Sequence, residues 1–258
     1  MGERNYEFRQ RLNVVHQPGR RDAAQTPAAA ELAVDAGWQI VLSSTASEFV
    51  GRVAADLQDY LLTSMGVSVS LRRTAGLAEV ARKGSCAIVL GTRQDLSGFG
   101  SMPTAPRSFR LACSAERIVI CGADERGAAQ GCYYLEDLMN LREAPFLRRG
   151  LDETRTPAFS PRMVHSGWGM DQFPDAHLNA MAHAGMDAIL VFIKAPNLTT
   201  VGFLDINNLI DRAARFGLEV YLYSYLHSTR HPDDPDAEAF YESTYGALMR
   251  SCPGARGI

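Results

Sequence analysis

The chain has 258 residues, 46% of them hydrophobic and 21% charged, with a formal net charge of −3. That length holds two modest domains or one large one, with enough apolar content for a core. So small a negative charge offers no electrostatic reason to expect nucleic acid or an anionic membrane surface as partner.

The chain begins Met1 to Gln10 without an apolar signal-like region, and no run is long enough to span a bilayer, so the expected location is the cytoplasm. Residues 1–36 are weakly patterned and read as a loosely structured arm. From Trp38 an apolar strand runs to Leu42. Thr45-Ala46-Ser47-Glu48 has capping-box spacing, and Phe49, Val53, Leu57 and Leu61 mark one face of a helix over 46–65. Val67 to Leu71 alternates like a half-exposed strand, and Ala87 to Gly91 reads as a buried one. Arg107–Cys113 and Arg117–Cys121 flank a turn and read as a hairpin. The next segment, Gly122 to Leu135, has neither the G-x-G-x-x-G nor the Walker spacing of a phosphate cradle. It reads instead as a helix capped at Asp124, with Gly127 and Gly131 permitting close approach to a sheet. No cofactor is expected. The five cysteines (Cys86, Cys113, Cys121, Cys132, Cys252) are scattered, with no C-x-x-C pair, and read as buried free thiols.

Arg155 to Pro161 is punctuated by proline and reads as a connector. Beyond it the pattern changes to repeated strand–helix units. Met163–Ser166 is a strand, and a helix opens near Pro174 and stops at Gly185. Asp187 to Ile193 is an apolar run of strand length. A helix over Asp205–Phe216 and a strand over Leu218–Tyr225 follow. A third helix covers about 236–250, and Ala255–Ile258 reads as the start of another strand. The expected fold is α/β. A small α/β domain over 37–153 precedes the first three β/α units of a TIM-type (β/α)8 barrel over 154–258. A whole barrel takes about 250 residues, so an incomplete barrel in a piece of a longer polypeptide is expected. Its open wall would leave the inner faces of Val164, Leu190, Phe192, Val220 and Leu222 uncovered, which favours self-association.

Two stretches resemble glycoside hydrolases of the β-hexosaminidase (family 20) and α-glucuronidase (family 67) kind. Arg126 to Leu135 is similar to the last helix of their accessory domain. Pro161-Arg162 is similar to the opening of the first barrel strand in family 20, where the arginine binds sugar hydroxyls. The resemblance implies O-glycosyl hydrolysis in the full-length parent, with carbohydrate as the partner. There are departures: Gly167 stands where the family carries an acid, and Phe192 to Asn197 stands where its second strand ends in histidines. No counterpart of the catalytic Asp-Glu pair is present.

In such barrels the ligand-contacting residues lie at the C-terminal ends of strands. With the resemblance, that rule gives Arg162, His165, Trp168, Lys194, Asn197, Tyr225 and His227 as candidate substrate-binding residues. Tryptophan suits stacking on a sugar face, whereas Lys, Asn and Tyr suit hydroxyls or a carboxylate. Lys194, closing an apolar run, is expected to be held there by a function. Glycosidic hydrolysis needs two carboxyl groups across the sugar. Asp171, Asp233 and Asp234 are explained by helix capping and turn chemistry, so no catalytic residue and no metal site is assigned. Two alternatives stay open: a non-catalytic carbohydrate-binding protein, or a lysine-dependent barrel enzyme centred on Lys194.

Overall fold

In the computed structural model, residues 8–11, 13–165, 173–199, 202–224 and 229–258 are described. The chain divides into two compact bodies, residues 14–158 and residues 1–13 with 159–258. The helical turn α1 (Phe8–Arg11) belongs to the second body.

The first body is built on the buried apolar runs. Its six-stranded sheet comprises β2 (Gln39–Ser43), β3 (Ser70–Thr74), β4 (Ala87–Thr92), β5 (Phe109–Cys113), β6 (Arg117–Gly122) and β8 (Asp152–Arg155), in the order β3-β2-β4-β6-β5-β8. The first four strands of that order are parallel, and β5 returns antiparallel to β6 as the hairpin pattern implies. Helices α2 (Glu48–Thr63) and α4 (Glu125–Arg142) pack together, and α4 lies on the sheet. Helix α3 (Leu77–Lys83) covers Val41, Val89 and Val119 from the other side. Gly131 allows α4 its approach, because a Cβ there would come within 2.5 Å of Ile120 Cγ2.

Three expectations for this body need correction. The cap of α2 is Ser47, which accepts from Val50 N at 3.2 Å, and not Thr45, so no capping box forms. The strand expected at 67–71 lies at Ser70–Thr74, where backbone pairing with β2 fixes it against a weak local alternation. Residues 14–36 are no loose arm. The strand β1 (Glu31–Ala33) pairs with β7 (Phe146–Arg148), and Arg142 donates to Glu31 and Gln25. The five thiols are free, four of them buried and Cys86 exposed, so the expectation that all are buried fails at Cys86. Burial pushes the Cys113 thiol up to about 12 and the Cys121 thiol up to about 11, the protonated, inert range at neutral pH.

The second body carries three parallel strands, β9 (Met163–His165), β10 (Ala188–Ala195) and β13 (Glu219–Ser224), with β10 in the middle. Consecutive parallel strands lie side by side because right-handed crossovers place them so. The crossovers contain α5 (Asp175–His183) and α6 (Ile206–Ala214). Two short strands absent from the sequence reading, β11 (Leu198–Thr199) and β12 (Gly202–Phe203), form a hairpin that pairs with the far end of β10. The last helical stretch comprises α7 (Ala237–Tyr241), a π-turn over Glu242–Gly246 and α8 (Ala247–Ser251). After it the backbone returns to the sheet: Gly257 bridges Tyr221 in parallel, and Arg256 N donates to Val220 O at 2.8 Å. The strand start expected at 255–258 is therefore joined to β13.

The apolar strand runs hide which side faces the helices. Ile189, Val191 and Ile193 pack with Val220, Leu222, Leu178, Leu209 and Ala213, and Val164 joins them. Val164, Val220 and Leu222 thus face the helices, contrary to the expectation that they line the inner wall. Leu190 and Phe192 do lie on the opposite face, because successive strand side chains alternate.

Candidate functional site

The inner face of β9, β10 and β13 holds Met163 and His165, then Leu190, Phe192 and Lys194, then Tyr221 and Tyr223. Parallel register places Leu190 between His165 and Tyr221, and Phe192 beside Tyr223. Toward the C-terminal ends of the strands a row of rings crosses the sheet. The rings of His165 and Phe192 are 5.6 Å apart and those of Phe192 and Tyr223 are 5.2 Å apart, each pair at 81°. Edge-to-face packing of this kind fixes ring orientation. Tyr223 in the row is exposed, and so is Lys194 beside it.

Lys194 sits where the pairing of β10 with β11 slips by one residue between Ile193 and Ala195. A bulge of this kind re-aims a side chain. The lysine is exposed, so its position carries no burial cost, and the expectation built on that cost is corrected. The surface can present an apolar, ring-lined strip with one cation at its end. Among the described residues, the one carboxylate at a strand position of this face is Glu219, at the start of β13 and at the opposite end from Lys194.

The other candidates separate from this strip. Arg162 precedes β9, at the opposite end of the sheet from Lys194. Its Nε and Nη2 donate to the two carboxylate oxygens of Asp187 at 2.9 and 2.7 Å, and its backbone N donates to Asp187 Oδ2 at 3.0 Å. The pair clamps the starts of β9 and β10, and strand N-terminal ends read as stability positions. Asn197 is a turn residue at φ +56°, and its Oδ1 accepts from Ile206 N at 3.0 Å in the first turn of α6. Its amide oxygen therefore joins the β10 end to that helix. Trp168, Tyr225 and His227 lie outside the described residues. Phe192 was read as barrel wall rather than site because every residue from Ala188 to Ile193 is apolar, which conceals the alternation.

The Asn197 geometry gives one expected result. Asn197→Ala should cost about 1–2 kcal/mol by removing the acceptor of Ile206 N and leaving an alanine at positive φ. Asn197→Gly, which relieves the φ constraint, should cost less. Urea unfolding followed by amide exchange in α6 measures both, and equal losses would contradict the assignment.

No protein-family model matches the chain, and no curated protein matches it by sequence. Solved structures do match. A GH20 β-N-acetylhexosaminidase from Streptomyces coelicolor A3(2) aligns at TM-score 0.58 and 16% identity, over 93% of this chain and 58% of its own. A β-N-acetylhexosaminidase from Bacteroides fragilis NCTC 9343 aligns at TM-score 0.53 and 10% identity, over 91% of this chain and 55% of its own. A family GH115 4-O-methyl-α-glucuronidase with specificity for decorated arabinogalactans aligns at TM-score 0.59 and 12% identity, over 88% and 35% respectively. The chain spans less than two thirds of the length of each. At these identities the likeness is one of fold: the mixed α/β architecture is that of glycoside hydrolases.

Proposed function

We propose that the second body is the carbohydrate-recognising part of a glycoside hydrolase-type protein and that the inner face of β9, β10 and β13 takes the sugar. The observation that carries this reading is the row His165, Phe192 and Tyr223 with Lys194 beside it, at the strand ends where folds of this kind bind ligands. Aromatic rings offer a flat apolar surface to the C–H face of a pyranose, and an exposed ammonium suits a hydroxyl or a uronate carboxylate. The structural neighbours named as hexosaminidases and a glucuronidase support a carbohydrate ligand.

O-glycosyl hydrolysis needs an acid/base pair. The described strand positions of this face supply only Glu219, at the far end from the ring row, and no pair, which favours recognition without turnover by this chain. Hydrolysis in a longer parent would draw its carboxyl groups from elsewhere.

A glycan array followed by calorimetry tests the reading. Binding to at least one glycan is expected, weakened roughly fivefold by Tyr223→Ala, in line with about 1 kcal/mol for a lost ring contact, and again by Lys194→Ala through loss of its charged hydrogen bond. Aryl glycosides should not be turned over above buffer. Absence of glycan binding, or binding indifferent to both substitutions, would reject the proposed face.

A further inference from the structure

Helices α2 and α4 are joined in their C-terminal halves by Tyr60, whose hydroxyl lies 3.0 Å from Glu136 O and 2.9 Å from Asn140 Oδ1. The segment that opens the first body brings His16 to the same place. Its Nδ1 is 2.7 Å from Asp59 Oδ2, its Nε2 is 3.5 Å from Asp56 Oδ2, and its ring meets Tyr60 edge-on at 5.7 Å. His16, Asp56 and Glu136 each offer a ligand atom, all within 4.8 Å of one another. His16 and Glu136 are buried, with 8% and 4% of their surfaces exposed.

We propose that His16 Nε2 and the carboxylates of Asp56 and Glu136 form a binding site for a divalent cation of the zinc class. One imidazole and two carboxylates are a donor set that zinc accepts. The spacing fits as well. Two ligand atoms at ~2.0–2.1 Å from a tetrahedral ion stand roughly 3.3 Å apart, and His16 Nε2 and Asp56 Oδ2 already stand 3.5 Å apart.

Asp59 supplies what a metal-binding histidine needs behind it. A carboxylate on the other ring nitrogen fixes the tautomer, aims the ring and raises its basicity. Asp56 and Asp59 are one helical turn apart on α2, so one helix provides both a ligand and the group orienting its neighbour.

The charges agree. Asp56 and Glu136 lie largely out of water beside one imidazole, and acidic groups taken from water need a compensating cation. The Tyr133 hydroxyl and the Cys132 thiol are pushed well up by burial and by the charges of Asp56 and Glu136. Arg20 adds positive charge near Tyr60. A bound ion would pin the opening segment, α2 and α4 at one point, as a structural staple. The positions are far apart in sequence, so no spacing motif announces the site.

Calorimetric titration of the metal-free 258-residue chain with zinc chloride tests this. One equivalent should bind with micromolar or tighter affinity. His16→Gln and Glu136→Gln should each weaken it more than tenfold, and Asp59→Asn by about 10- to 100-fold, the usual effect of removing a group that orients a ligand. His231→Gln, at an exposed histidine paired with Asp233 in the other body, should change nothing. Circular dichroism of the metal-free variants verifies their folding. Should a variant not fold, the cobalt-loaded unaltered chain still decides: visible bands of nitrogen and oxygen ligation are expected. No saturable uptake, uptake unchanged by all three substitutions, loss on His231→Gln, or a thiolate-to-cobalt band would each overturn the site.

Discussion

Replacing Arg162 with methionine is expected to destabilise the second body by about 3–5 kcal/mol, the usual cost of removing one partner from a buried ion pair. The reason is Asp187. Its side chain is 3% exposed, and it accepts three hydrogen bonds from Arg162, two from the guanidinium and one from the backbone N. Truncating the arginine takes the bidentate partner away from a buried carboxylate. Asp187 also fixes the backbone on both sides, because its N–H reaches Arg162 O and its carbonyl accepts from Glu219 N. Unfolding in urea should show the loss, and hydrogen exchange should place it in β9 and β10. Adding Asp187→Leu should recover much of it, since an apolar pair of similar volume carries no desolvation cost. A loss under about 1 kcal/mol for Arg162→Met would mean that the pair behaves like a surface salt bridge.

Gly127→Val should cost the first body about 3 kcal/mol, at the upper end of the usual overpacking range. Helix propensity alone points the other way, because glycine is the weakest helix former apart from proline. Sterics decide it. A Cβ at position 127 would overlap the carbonyl oxygen of Ser108, a backbone atom with nowhere to go. That oxygen accepts from Ala123 N at 2.9 Å, and Ser108 itself is 1% exposed. The α4 N-terminus, held by Asp124 accepting from Gly127 N at 2.7 Å, would have to lift from the sheet. Thermal melting of this variant checks the sign: a stabilised protein would show that the helix–strand contact is looser than it looks.

Much of the architecture was legible without the structure because it rests on local signals. The stripe Val53, Leu57 and Leu61 repeats at helical spacing, and those residues are buried in α2. Asp124 followed by Gly127 and Gly131 announced a capped helix lying close on a sheet, and both features are present. The runs 87–91 and 187–193 were too short for helices and too apolar for exposed strands, so only buried strands remained. Parallel order followed from the intervening helices.

The sequence by itself therefore determined the longer elements and the kind of sheet, since periodicity, caps and turn residues act over a few neighbouring positions. The tertiary structure alone decided which residues meet. Whether Phe192 or Val191 faces the helices depends on one residue of register, and a uniformly apolar strand does not encode it. Arg162 looked like a ligand-binding arginine until Asp187, 25 positions on, came to its side. Asn197 looked like a hydroxyl binder until its oxygen reached Ile206 N. His16 sits in a segment that read as loose, and its partner Asp59 comes from α2, 43 positions on. Each of these is a polar group whose role is set by the partner that long-range packing brings within about 3 Å. Local sequence patterns carry no record of such distances.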